Sequence, residues 1–192
     1  MRSIKVFDFD GNEIKDIKND NTSFISVYYD KNLKKNFILT GNEGFVKSYD
    51  YNEEKFYHIY KDENGKLKKS YDFHNSIIVK KIKGILKLIE SSEDGNIRIW
   101  NFHSGILLTK INVSDNKLCG ICLWDENYLF CGCSDNNIKL LDLNELKVVG
   151  ELKGHKNEIE TVKKFNHPKF GEILLSQSAR DLSIKMWVSK NK

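Results

Sequence analysis

The stretch EDGNIRIWN, residues 93–101, runs from an acidic turn into a short strand of β-branched, basic and aromatic residues. Asp and Gly suit a tight reversal, and Ile and Trp suit a pleated strand, so the stretch predicts a turn and the strand that leaves it. The strand motif recurs as IKVFD (4–8), VKSYD (46–50), IRIWN (97–101), IKLLD (138–142) and IKMWV (184–188). Each copy reads β-branched, basic, variable, large apolar, then usually an acid or amide. The starting positions Ile4, Val46, Ile97, Ile138 and Ile184 are 42, 51, 41 and 46 residues apart. A period of about 40–50 residues predicts a repeat fold in which each unit is one small sheet.

Working outward, each later copy follows a second apolar run and a polar turn: NFILTGNEG (36–44), LIESSEDGN (88–96), YLFCGCSDNN (128–137) and EILLSQSARDLS (172–183). These read as hairpins with turns at Glu43, Asp94, Asp135 and Asp181. A further strand precedes each hairpin, in SFISVYYD, NSIIVKKI, LCGICLWD and EIETVKKF, and a fourth follows the middle copies, in FYHIYKD, ILLTKINV and VVGELKG. Four short strands make a sheet that buries both faces only when neighbouring units stack on it. The predicted units are 1–20 (partial), 21–62, 63–113, 114–153, and 154–192 without its outer strand, with an inserted polar loop over 61–74.

Composition agrees. The chain of 192 residues has 40% hydrophobic and 30% charged residues, one proline (Pro168) and one alanine (Ala179). Its net charge of +4 is scattered, too weak to imply a nucleic-acid partner by itself. The start MRSIKVFDFD carries charges where a signal peptide has its apolar run, and no stretch reaches the roughly 20 apolar residues of a membrane span. A cytoplasmic or nuclear protein is expected.

Cys119, Cys122, Cys131 and Cys133 are spaced like a metal knuckle. On adjacent strands, however, Cys119 and Cys122 point to opposite faces, so four ligands do not converge. Free, packed thiols and no metal are expected. Neither GxGxxG nor a Walker pattern occurs, which argues against a nucleotide-dependent enzyme. The histidines His58, His74, His103 and His167 stand apart from one another in the sequence and read as packing or solvated residues. No cofactor is expected.

The last unit, LKGHKNEIETVKKF (152–165) followed by EILLSQSARDLSIKMW (172–187), resembles the WD-repeat β-propellers in its Gly-His pair, two strands, Asp turn and strand ending in Trp. The resemblance runs through all five motif copies. The chain departs from the family in that only Trp100 and Trp187 keep the tryptophan, only the last unit has Gly-His, and SARD carries an extra residue. The resemblance implies an all-β propeller of four-stranded antiparallel blades, about four of them present. It also implies a buried network of His155, Ser176, Asp181 and Trp187, with partial networks at Asp94 and Trp100. His, Ser and Asp also make a hydrolase triad, but here the repeat pattern already accounts for them.

By the same resemblance the function is a non-enzymatic scaffold for protein–protein interactions within a complex. Its partner face carries Asn42, Glu93, Ser134 and Arg180 beside the turns, with Asn157 and Glu158 after the Gly-His. A subunit of an RNA-processing or ribosome-assembly particle is the alternative. Seven blades would need about 280–315 residues, so the ring is expected to be completed either by further chain or by a second copy in a homodimer. Residues 11–18 are a candidate outer strand for the last blade.

Overall fold

The computed structural model describes residues 3–18, 24–42, 45–62 and 74–189, and among them the chain is all β, with no helix. Strands β1 (Ser3–Phe7) and β2 (Glu13–Lys18) form a hairpin. A four-stranded sheet follows: β3 (Phe24–Asp30), β4 (Lys35–Asn42), β5 (Phe45–Asp50) and β6 (Lys55–Lys61). The next holds β7 (His74–Ile82), β8 (Ile85–Ser92), β9 (Asn96–Asn101) and β10 (Leu107–Asn112). The fourth sheet holds β11 (Leu118–Leu123), β12 (Tyr128–Cys133), β13 (Asn137–Asp142) and β14 (Lys147–Lys153). The fifth has three strands, β15 (Thr161–His167), β16 (Gly171–Ser178) and β17 (Ser183–Trp187). All are antiparallel meanders in chain order. The expected turn at Glu43, and residues 63–73 of the inserted loop, lie outside the described residues.

The recurring acid or amide that ends the motif has a local job. Asp8 Oδ1 accepts the amides of Asp10 and Asn12, Asp50 Oδ1 those of Asn52 and Glu53, Asn101 Oδ1 those of His103 and Ser104, and Asp142 Oδ1 those of Asn144 and Glu145. The side chain thus satisfies amides that the turn leaves without a ladder partner. Val188 holds the same motif position and has no such oxygen. The turns after β8, β12 and β16 share another requirement, since the residue after the Asp has positive φ: Gly95 (78°), Asn136 (71°) and Leu182 (52°). At Gly95 a Cβ would also meet the Ser114 carbonyl at 1.8 Å.

Register shows how the blades repeat. Across the first three strands of each blade the ladder reads Val27–Ile38–Tyr49, Val79–Leu88–Trp100, Leu123–Leu129–Leu141 and Lys164–Leu174–Trp187. One step along on the same face come Ile25–Thr40–Lys47, Ile77–Glu90–Arg98, Ile121–Cys131–Lys139 and Val162–Ser176–Lys185. This face packs toward the preceding sheet. The opposite face, with Val46, Ile97 and Ile138, packs toward the following one.

The core therefore sits in the seams between sheets. Phe37, Leu39 and Val46 meet Leu88 and Trp100; Ile89, Ile97 and Ile99 meet Leu129 and Leu141; Cys122 and Ile138 meet Val162 and Leu174. Each such fully buried side chain contributes about 1.5–3 kcal/mol. At Gly132 the seam is tight enough that a Cβ would stand 2.8 Å from the Ile159 carbonyl. In the first seam the hairpin packs through Ile17, Ile4 and Val6 on Ile38, Tyr49 and Tyr51, and Lys15 lies over the Tyr51 ring and pairs with Glu54.

The hairpin corrects one expectation. Residues 11–18 do not flank Trp187, because β2 pairs with β1. A strand joined to its partner by a turn capped by Asp8 closes a far shorter loop than one recruited from the other end of the chain.

Candidate functional site

The last blade brings His155, Ser176, Asp181 and Trp187 together. His155 Nδ1 lies 2.8 Å from Asp181 Oδ2, His155 Nε2 lies 2.7 Å from Ser176 Oγ, and Trp187 Nε1 donates to the same Oγ at 2.8 Å. One proton arrangement satisfies every contact: indole N–H to the serine oxygen, serine O–H to Nε2, and Nδ1–H to the carboxylate. The Asp181 carboxyl also accepts the Ser183 hydroxyl and the Lys156 and Ser183 amides. The Ser183 hydroxyl, then the Lys156 amide and His155, hold it well below the usual carboxylate range.

The distances are those of a serine nucleophile with its base, but the surroundings are not. Ser176 is 2% exposed, and its oxygen already takes a hydrogen bond from Trp187. A nucleophile must reach substrate, and this one faces the inside of a seam. The arrangement ties the segment leading into β15, the middle of β16, the turn and the end of β17 into one unit.

The middle blades solve the same position differently. Glu90 and Cys131 hold the register place of Ser176, and no Gly-His precedes either blade. Asp94 instead pairs with Arg98 Nη2 at 2.5 Å, and Asp135 with Lys139 at 3.1 Å, each cation four residues beyond its acid. Both cations reach a second carboxylate from the outer side, Arg98 at Asp62 (3.2 Å) and Lys139 at Glu151. Burial pushes Asp94 upward, but the Arg98 hydrogen bond and charge outweigh it and hold the carboxyl at about 2.

The expected partial network joining Asp94 to Trp100 is therefore corrected. Asp94 is taken by Arg98, and the buried Trp100 Nε1 has no hydrogen-bond partner among the described residues. The signal for this exchange was the basic second residue of the motif, Arg98 and Lys139, which shares a strand face with the position facing the turn acid.

The turns after β8, β12 and β16 and the segments leading into β11 and β15 lie at one end of the blades. There Lys117 Nζ meets Glu93 at 2.8 Å, and Arg180 Nε meets Glu158 at 3.2 Å. The Lys117 ammonium is held above its ordinary value first by Glu93, with a further pull from Glu158. The Ser134 amide donates to the Lys117 carbonyl. Glu93, Ser134 and Glu158 thus converge around Lys117, a residue that the motif pattern did not single out, and Arg180 joins the group through Glu158. Asn157 is half-buried beside them. Asn42 ends β4, and its side chain lies outside the described residues.

Two histidines that stand apart in the sequence meet in space. His58 Nε2 contacts the His103 carbonyl, Tyr57 Oη contacts His103 Nδ1 at 3.3 Å, and His103 Nε2 lies 3.3 Å from the buried Asp30. They latch the second and third sheets together. His167 Nδ1 caps its own turn by accepting the Lys169 and Phe170 amides, and the side chain of His74 lies outside the described residues.

The four cysteines are free and buried. Burial pushes Cys119 up to about 11 and Cys133 to about 12, and raises Cys122 and Cys131 as well. The thiolate that binds metals and attacks electrophiles is thereby disfavoured. Among the described residues no group of three or more His, Cys, Asp or Glu is placed to hold a metal ion, and no helix is long and apolar enough to cross a membrane.

No protein-family profile matches the chain. Among curated proteins it is 28% identical over 100 residues to the U3 small nucleolar RNA-associated protein 21 homolog of Schizosaccharomyces pombe, covering 52% of this chain and 11% of that protein. It is 27% identical over 99 residues to human WD repeat-containing protein 36, covering 52% and 11%. It is 26% identical over 103 residues to the WD repeat domain-containing protein 83 homolog of Dictyostelium discoideum, covering 50% and 28%. The matched part thus spans between about a tenth and about a quarter of these relatives. Among solved structures, the computationally designed Ika4 protein superposes with a TM-score of 0.64 at 17% identity, over 88% of this chain and 93% of that one. That likeness concerns the fold alone.

Proposed function

The chain is a divergent member of the WD-repeat β-propeller family, and from that premise we propose a non-enzymatic scaffold that holds partner proteins within a complex. The observation that carries the reading is the cluster at one blade end, where Glu93, Lys117, Ser134 and Glu158 converge and Glu158 reaches Arg180. Half-exposed ion pairs of this kind contribute little to stability. They are free to exchange partners with a complementary surface, which favours specificity and encounter rate. The buried Ser176 and the raised thiols offer no accessible nucleophile.

The test is affinity capture from cell extract with the intact chain, Glu93→Lys and Arg180→Glu. Both substitutions are expected to change stability by no more than about 0.5 kcal/mol and to lose a common subset of captured proteins. An unchanged set for both variants would move the partner surface elsewhere.

A second reading, a subunit of an RNA-processing or ribosome-assembly particle with a nuclear location, draws on one relative, whose name associates it with the U3 small nucleolar RNA. Captured proteins that leave on nuclease treatment, together with RNA binding that weakens steeply with salt, would favour it.

A further inference from the structure

The turns β3–β4, β7–β8 and β9–β10 stand at the end of the blades opposite the turn that carries Glu93, and between the second and third sheets they border a groove of about 510 Å³. Tyr28, Val79 and Leu86, partly buried against the cluster of Phe37 and Phe102, give it an apolar wall. Lys31, Lys80 and Lys81 stand around it, exposed. Among the described residues none of these three meets a carboxylate, whereas Lys35, Lys110, Lys117 and Lys139 are each paired with one. A four-stranded sheet flanks the groove on each side, so it belongs to an interior seam of the row.

The groove is held in shape by its own residues. Asp30 Oδ1 accepts the Asn32 and Leu33 amides at 2.8 and 3.1 Å, which fixes the turn that carries Lys31. Asp30 Oδ2 lies 3.3 Å from His103 Nε2, and His103 Nδ1 lies 3.3 Å from Tyr57 Oη. Both ring nitrogens are engaged, so the histidine braces the wall and has none left to move a proton for a substrate. We propose that the groove binds an acidic peptide segment of a partner protein, whose carboxylates pair with Lys31, Lys80 and Lys81 while an apolar side chain lies on Val79 and Leu86. The three ammonium groups supply the charge complement, and the apolar wall supplies a contact that a bare anion would not use. The Asp30 carboxylate among the lysines suits spaced single charges better than the dense charge of a phosphate chain. The proposal rests on the scaffold reading and gives the scaffold a second surface, separate from the cluster of Glu93 and Lys117.

A random dodecapeptide library displayed on phage tests this, passed over the intact chain once phage that bind the Lys80→Glu/Lys81→Glu double variant have been removed. The expected clones carry acidic residues on both sides of an apolar one. An enriched peptide with a fluorescein label should bind the intact chain and Glu93→Lys alike in anisotropy titrations, and Lys31→Glu or Lys81→Glu at least about 10-fold more weakly. The three lysines are exposed, so the β-type circular dichroism spectrum should not change; a variant that loses it is replaced by its glutamine counterpart. No enrichment, clones without an acidic excess, or binding indifferent to the lysine substitutions would overturn the proposal. Displacement of the peptide by decauridylate RNA at the same concentration would assign the groove to nucleic acid and overturn it too. Failure of the peptide alongside a loss of captured proteins with Glu93→Lys would refute this site and leave the scaffold reading standing.

Discussion

At Ser176 one oxygen serves two buried partners, and the consequence can be measured. Ser176→Ala strands both Trp187 Nε1 and His155 Nε2, which should cost about 1–3 kcal/mol. Trp187→Phe removes one of those stranded groups, so the double mutant should lose less than the sum by about 0.5–3 kcal/mol in urea titrations. Additive losses would mean that the contacts seen here act independently. Leu182 shows the opposite situation, a side chain 92% exposed and held at φ 52°, where Gly95 and Asn136 stand in the neighbouring blades. A β-carbon pays a steric cost in this region that Asn tolerates better than Leu. Leu182→Asn should therefore stabilise the chain by about 0.5–1 kcal/mol, read as a higher urea midpoint at unchanged slope.

The turn between β8 and β9 carries its own pH dependence. Asp94 sits at about 2, below the ordinary 3.8, because Arg98 outweighs the effect of burial. A lowered folded value means that the contribution is complete by about pH 5 and is lost as pH falls through about 2, amounting to less than about 2 kcal/mol because solvent screens the partly exposed pair. The difference in stability between the parent and Asp94→Asn should thus shrink over that window; a constant difference would show that the pair does not set the turn's acid sensitivity. At this scale most of the fold was legible in the sequence. The β-branched, basic, large-apolar motif marked each third strand because its alternation is local, and the turn acids marked the hairpins because turn chemistry is local too. The replacement of the Ser176-type contact by Arg98 and Lys139 was harder to read. Their basic residues were plain in the motif, but only register shows which acid each one meets. The meeting of His58 with His103, and of Lys117 with Glu93 and Glu158, joins segments from different sheets, and no local pattern encodes it.

Stability should not be uniform along the row of blades, because a sheet in a repeat protein draws much of its stability from its two neighbours. The third sheet packs on a four-stranded sheet at each side, and the fourth on a four-stranded sheet and the three-stranded last one, through the clusters around Trp100, Ile97 and Leu174. The hairpin has one neighbour and covers half a seam, and β17 has no fourth strand beside it among the described residues. Native-state amide exchange in dilute protein should therefore be slowest in β8, β9, β12 and β13 and fastest in β1, β2 and β17. Equal exchange rates along the whole row of sheets would mean that each sheet is stable on its own and does not draw on its neighbours.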